Sequence, residues 1–232
     1  MNSTHNKDLN EAEKIIGYVF TDKENLRDAF THSSFSNENK NTNDYQRLEF
    51  LGDAILDLSV GFQLFKRFPT AKEGVLTKKR AMLVSADTLS EIIDEYGLIA
   101  FMRVGTGHVA EDVIRSKNVK CDLFESIVGA IYLDSGCNLP VAERFIWDKL
   151  EKYIDRPQVD YKSKTLEYCA QNKYKCELKT FLSEENVPER RFFSQFYVRD
   201  ELFSTGEGQN KAEAEKEACK IFYKNCIEKR SK

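Results

Sequence analysis

No apolar run in these 232 residues approaches the ~20 needed to cross a bilayer, and the opening MNSTHNKDLNEAEK lacks the apolar core of an export signal. Neither membrane residence nor secretion is expected. The six cysteines (Cys121, Cys137, Cys169, Cys176, Cys219, Cys226) include no C-x2-C pair, so the spacing of a zinc site is missing. Without an export signal a disulfide framework is not expected either, and all six read as cytosolic thiols. Histidine is scarcer still, limited to His5, His32 and His108. Any metal here would be a hard cation held by oxygen. Apolar residues are not in short supply. A chain that is 41% hydrophobic and 31% charged, with mean hydropathy −0.54, has the balance of a globular protein rather than a disordered one.

The excess of acid is small, net −3, but unevenly spread. Residues 1–155 hold 19 basic and 25 acidic residues, net −6, whereas residues 156–232 hold 16 and 13, net +3. A nucleic-acid footprint is local, so an acidic catalytic part can coexist with a basic clamp. Ordinary variation in surface charge fits the same numbers.

The first two-thirds read as helices. Ile15, Ile16 and Val19 recur at helical spacing, as do Leu26, Ala29 and Phe30. A long apolar pattern from Tyr45 to Phe68 ends at Pro69, which has no N–H to continue a helix. Helical patterns follow at Val75–Val84 and Thr88–Tyr96, with Ser85 and Asp87 offering caps and Gly97 a stop. Two more run from Asn118 to Leu133 and from Val141 to Tyr153. This part is expected to be all-α and to span residues 10–153. The polar segment 154–159, containing Pro157, reads as a linker. Beyond it, residues 161–172 look helical, while Tyr174–Ser183, Phe192–Val198 and Glu201–Thr205 carry strand-like patterns. Residues 210–228 return to a helix, giving a small α+β unit of order α-β-β-β-α over residues 160–229.

Four acids stand out. Glu49 and Asp53 lie four apart, about 40° around a helix, and Asp122 and Glu125 three apart, about 60°. Each pair therefore shares a helix face inside an apolar run, which implies buried helices where unpaired carboxylates are costly. If the pairs met, a hard divalent cation such as Mg²⁺ or Mn²⁺ would balance them and equip the site to activate water. Four salt-bridged or solvated helix positions would satisfy the same spacing.

YQRLEFLGDAILD and CDLFESIVGAIYLDSG resemble the two acidic motifs of the ribonuclease III family. Ala29-Phe30-Thr31-His32-Ser33-Ser34 before them and Glu73-Gly74-Val75-Leu76-Thr77-Lys78-Lys79-Arg80-Ala81 between them are similar too. The resemblance implies an all-helical endonuclease that cuts double-stranded RNA with Mg²⁺, Mn²⁺ substituting. It further implies a cytoplasmic homodimer that leaves 5′-phosphate, 3′-hydroxyl and a short 3′ overhang. On it, Glu49, Asp53, Asp122 and Glu125 would bind metal, with Asp53 and Glu125 most directly tied to activating water. Glu73 falls near the dimer's cutting valley, and His32 in a motif that shapes a helix junction. Gln46 stands where many bacterial members have Glu, near enough to touch the acids or the partner subunit; a neutral amide there reads as tuning, not loss. Processing of ribosomal precursors and other structured RNAs is the role the family suggests.

Residues 160–229 resemble a double-stranded-RNA-binding domain, with Lys211 at the start of the last helix placed to meet phosphates across a groove. Lys162, Arg190, Arg191, Lys211 and Lys216 are the RNA-binding candidates, and Lys216 and Lys220 would extend a basic stripe. The usual groove-reading histidine is absent, Glu185-Asn186-Val187-Pro188-Glu189-Arg190-Arg191 standing in its place. Two other readings compete: a duplex-binding protein that cuts poorly, and an unrelated all-α metal-dependent hydrolase. Four intact carboxylates argue against the first, and the duplex-RNA-like tail against the second.

Overall fold

The computed structural model describes residues 9–156, 160–182, 191–208 and 210–227. The chain divides into two units, Met1–Arg156 and Pro157–Lys232. The first is helical as expected: α1 (Leu9–Ile16), α2 (Lys23–Ala29), α3 (Ser33–Glu38), α4 (Gln46–Arg67), α5 (Glu73–Leu83), α6 (Ala86–Glu95), α7 (His108–Arg115), α8 (Lys117–Asp134) and α9 (Leu139–Leu150). Short 3-10 turns cover Leu98–Phe101 and Glu151–Tyr153.

Local chemistry sets the boundaries. α4 closes at Arg67, two residues before Pro69. The Ser85 hydroxyl accepts the Thr88 N–H and caps α6. Asp87 is not the cap; it pairs with Lys117 at 2.7 Å. Gly97, at φ +66°, ends α6 in the left-handed region open to glycine. α1 stops earlier than its apolar spacing suggests, because Gly17 turns left-handed at φ +78°, and Val19 is 74% exposed.

Leu123, Phe124, Ile127, Val128 and Ile131 of α8 pack in a core with Leu56, Val60 and Leu64 of α4. Each such side chain contributes about 1.5–3 kcal/mol by leaving water. Only one face of α4 is buried, contrary to the expectation of a buried helix. Phe50 is 82% exposed and Phe65 68%, with Leu58 and Phe62 also outward, and Val75 of α5 is exposed as well.

The crossing of α4 and α8 is set by two glycines. A Cβ on Gly52 would stand 1.8 Å from the Glu125 carbonyl oxygen, and one on Gly129 2.2 Å from that of Leu48. Both obstacles are backbone, so neither can swing away. Gly52→Ala is expected to destabilise the protein by the upper end of the ~1–3 kcal/mol range for overpacking. Urea denaturation checks this; an unchanged midpoint would mean that the helices do not meet so closely.

The second unit follows the order α-β-β-β-α: α10 (Tyr161–Gln171), β1 (Cys176–Leu182), β2 (Phe192–Val198), β3 (Glu201–Gly208) and α11 (Lys211–Phe222), the last continuing into one π turn over Tyr223–Ile227. The sheet is antiparallel in the order β1-β2-β3. β3 runs on to Gly208, past the expected end, because Gly206, Glu207 and Gly208 pair with Ser194, Phe193 and Phe192 of β2, and Gly206 lets α11 pack close, a Cβ there meeting the Ala218 nitrogen at 2.2 Å. Cys169, Phe196, Val198, Ala218, Cys219 and Phe222 form the small core. All six cysteines are free thiols.

Candidate active site and RNA-binding surface

Where α4 and α8 cross, carboxylate oxygens of Glu49, Asp122 and Glu125 lie within 4.8 Å of one another. Asp53 stands one turn along α4 from Glu49, outside this trio and exposed, but close enough for its charge to act on both Glu49 and Glu125. Three of the four acids meet, and Asp53 stands beside them. Among the described residues no lysine or arginine pairs with any of them; Lys120, beside them in sequence, turns to Asp94 at 2.7 Å.

Two neutral donors touch the cluster. The Tyr45 hydroxyl donates to Asp122 Oδ2 at 3.1 Å, and the Cys121 thiol to Glu125 Oε1 at 3.5 Å. Neither donor cancels charge. Burial, then the charges of Asp122, Asp53 and Asp44, pushes the Glu49 carboxyl up to about 7. Glu125 is pushed up to about 8 by burial and Asp53, against the Cys121 hydrogen bond. Asp122 is raised by burial, against the Tyr45 hydrogen bond. Crowded carboxylates that resist ionising together, with oxygen donors alone, fit a hard divalent cation, whose charge would reverse the repulsion.

In the second unit the basic candidates are less free than their sequence suggests. Lys162 of α10 pairs with Glu215 Oε2 at 2.5 Å. Lys211, the first residue of α11, lies 3.8 Å from the same carboxylate, which also accepts the Thr180 hydroxyl at 3.2 Å. Glu215 thus ties α10, β1 and α11 together. Lys216 is exposed. Lys220 does not extend a stripe with it: only 8% exposed, Lys220 pairs with Glu217 at 3.2 Å. Arg191 pairs with Glu207 at 2.8 Å. Arg190 and the rest of the segment 183–190 lie outside the described residues.

Residues 22–154 match the family model described as Ribonuclease-III-like, and residues 161–225 match the double-stranded RNA binding motif. Ribonuclease 3 of Bdellovibrio bacteriovorus is 37% identical over 216 residues, covering 90% of this chain and 92% of that protein. Ribonuclease 3 of Clostridium acetobutylicum is 38% identical over 222 residues, 92% and 95% of the two chains. The chain belongs to the ribonuclease III family. It is an endoribonuclease of double-stranded RNA, in a metal-dependent family, and carries the cluster of acids described above.

The crystal structure of the ribonuclease III nuclease domain from Campylobacter jejuni superposes with TM-score 0.58 at 35% identity, covering 67% of this chain and all of that one. A second structure of that domain, described for flexibility in a region involved in dimer formation, gives TM-score 0.57 at 34% identity over 62% of this chain and 97% of that one.

The other positions singled out in the ribonuclease III motifs stand outside the trio. Gln46 is the exposed first residue of α4, one turn before Glu49. Glu73 opens α5, is exposed, and takes a hydrogen bond from the Thr77 hydroxyl at 2.7 Å. It is not part of the acidic trio. His32 is structural here: its Nδ1 accepts the Ser34 N–H at 3.1 Å and caps α3. Tyr45 and Cys121 are contacts that the motif spacing does not announce, since neither residue type signals a metal site by itself. Among the described residues no helix is long and apolar enough to cross a membrane.

Proposed function

We propose that Glu49, Asp53, Asp122 and Glu125 hold Mg²⁺, with Mn²⁺ as substitute, and that the chain cleaves duplex RNA there to 5′-phosphate and 3′-hydroxyl ends. The observation that carries this reading is the trio of carboxylates within 4.8 Å of one another. When bound, the cation supplies Lewis-acid polarisation of the phosphate and a lowered pKa for water. Asp53 and Glu125 are the acids we assign to orienting the attacking water and accepting its proton. Gln46 and Glu73 are assigned to the edge of the site, where the amide tunes rate or metal preference and Glu73 faces the cutting valley.

A second copy of the chain is the partner we assign to the outward stripe of Phe50, Leu58, Phe62 and Phe65. Large exposed apolar side chains on one helix face favour burial against another protein surface. A homodimer would carry two centres, one per strand, which accounts for staggered cuts with a short 3′ overhang. Residues 10–153 are then the nuclease part, 154–159 the link, and 160–229 the clamp, with Lys162, Arg190, Arg191, Lys211 and Lys216 meeting phosphates. Precursors of ribosomal RNA and other structured RNAs are the substrates we assign. Six free thiols support a reducing compartment such as the cytoplasm.

The metal assignment has a pH signature. Glu49 and Glu125 rise from 4.5 to about 7 and about 8 in the folded chain without cation. The folded state then holds more protons than the unfolded one between those values. Their contribution to stability is fully present below the unfolded pKa and is lost as pH rises through the folded pKa. The metal-free protein is expected to melt at a lower temperature at pH 8 than at pH 6. Saturating Mn²⁺ should raise the melting temperature more at pH 8, because ligands bind as carboxylates. Thermal unfolding with and without Mn²⁺ at both pH values checks this. No Mn²⁺ effect at either pH would remove the metal from the site.

A further inference from the structure

Tyr45 stands immediately before α4, and its carbonyl accepts the Glu49 N–H at 2.8 Å. Its own N–H donates to the Thr31 carbonyl at 2.9 Å, and its ring lies 5.6 Å from that of His32. The residue is 5% exposed, so the ring and backbone are fixed on three sides. From this anchored position the hydroxyl reaches across to Asp122 on α8, 77 positions along the chain, at 3.1 Å. One residue thus sets the start of the helix bearing Glu49 and Asp53 and restrains an acid on the opposing helix.

We propose that Tyr45 is a positioning residue of the metal site, whose hydroxyl fixes the orientation of the Asp122 carboxylate and thereby strengthens binding of the divalent cation. This rests on the proposed metal role of the four acids. The donor type matters. A lysine or arginine here would cancel charge the cation needs, whereas a neutral hydroxyl orients the carboxylate and leaves its charge available. An ionised Asp has room for about four acceptor contacts, so one taken by Tyr45 does not block a ligand bond. Donors that orient metal-binding groups typically carry 10–100-fold in metal affinity.

The test is Mn²⁺ binding to the full chain by calorimetry, after removal of metal, for the parental protein and Tyr45→Phe. The substitution keeps the buried ring and deletes only the hydroxyl. Binding is expected to weaken about 10–100-fold. Cleavage of duplex RNA should need proportionally more Mn²⁺ for half-maximal rate, while the rate at saturating Mn²⁺ returns towards the parental value. A residue that merely supported the fold would lower metal-free stability and leave that Mn²⁺ dependence in place. Parental Mn²⁺ affinity in Tyr45→Phe would overturn the assignment of Tyr45 while leaving the metal site standing. Absence of Mn²⁺ binding by the parental chain would overturn both.

The same comparison in an Asp122→Ala background guards against an indirect effect. With its acceptor gone, loss of the hydroxyl should change Mn²⁺ affinity less than about 2-fold, the mark of two groups acting through one contact. An undiminished loss in that background would show that Tyr45 acts by another route and overturn the proposal.

Discussion

Glu125→Gln is expected to leave the fold and duplex binding in place while cleavage in saturating Mg²⁺ falls about 10³-fold. The amide has nearly the carboxylate's shape, so the packing of α8 is kept, but it supplies neither the charge nor the proton acceptor. A loss of about 4 kcal/mol of transition-state stabilisation corresponds to that factor. The substitution should also remove one source of repulsion, since Glu125 is pushed up to about 8 partly by Asp53. Metal-free Glu125→Gln should therefore lose less stability than the parental protein between pH 6 and pH 8. Cleavage under single-turnover conditions, beside thermal unfolding at the two pH values, measures both effects. A near-parental rate would show that Glu125 has no part in the chemistry.

Ending the chain after Arg156 is expected to weaken duplex binding and flatten its dependence on salt, while slow cleavage persists at low salt. Arg156 belongs with the nuclease unit through its pairing with Glu91 at 2.8 Å. The excised part carries Lys162, Lys211 and Lys216. Each phosphate contact removed lowers the slope of log affinity against log salt by about 0.9, the value for duplex DNA, so losing two or three contacts should reduce it by about 2–3. Lys162 and Lys211 share Glu215 in the chain without RNA, so duplex phosphates compete with that carboxylate for them. Binding and cleavage measured across a salt series for both chains decide the matter. Identical slopes would mean that the C-terminal unit is not the clamp.

Much of this was legible in the sequence because the relevant chemistry is local. Pro69, Ser85 and Gly97 each end or begin a helix by their own backbone or hydroxyl properties, and β2 buries every second residue from Ser194 to Val198, the period of a strand. The acids could be paired by helical spacing alone. What spacing cannot give is how two helices cross. The Gly52–Gly129 approach decides which oxygens meet, and it leaves Asp53 beside the trio rather than in it.

The shortest helices left few residues to read. α3 has six residues and depends on the His32 cap, and α7 has eight. The apolar run of α4 read as wholly buried because composition does not distinguish a face packed inside one chain from a face left outward. Lys220 read as a surface charge on spacing, yet α11 turns it inward beside Glu217. Tyr45 opens the signature stretch, but its contact with Asp122 exists only in three dimensions.

The most direct test of the central claim is cleavage of a plain RNA duplex by the full chain, with Mg²⁺ and with the metal chelated. Cleavage is predicted in Mg²⁺ alone, yielding 5′-phosphate and 3′-hydroxyl ends. Equal cleavage under chelation, or an intact duplex in saturating Mg²⁺, would contradict a metal-dependent nuclease built on Glu49, Asp53, Asp122 and Glu125.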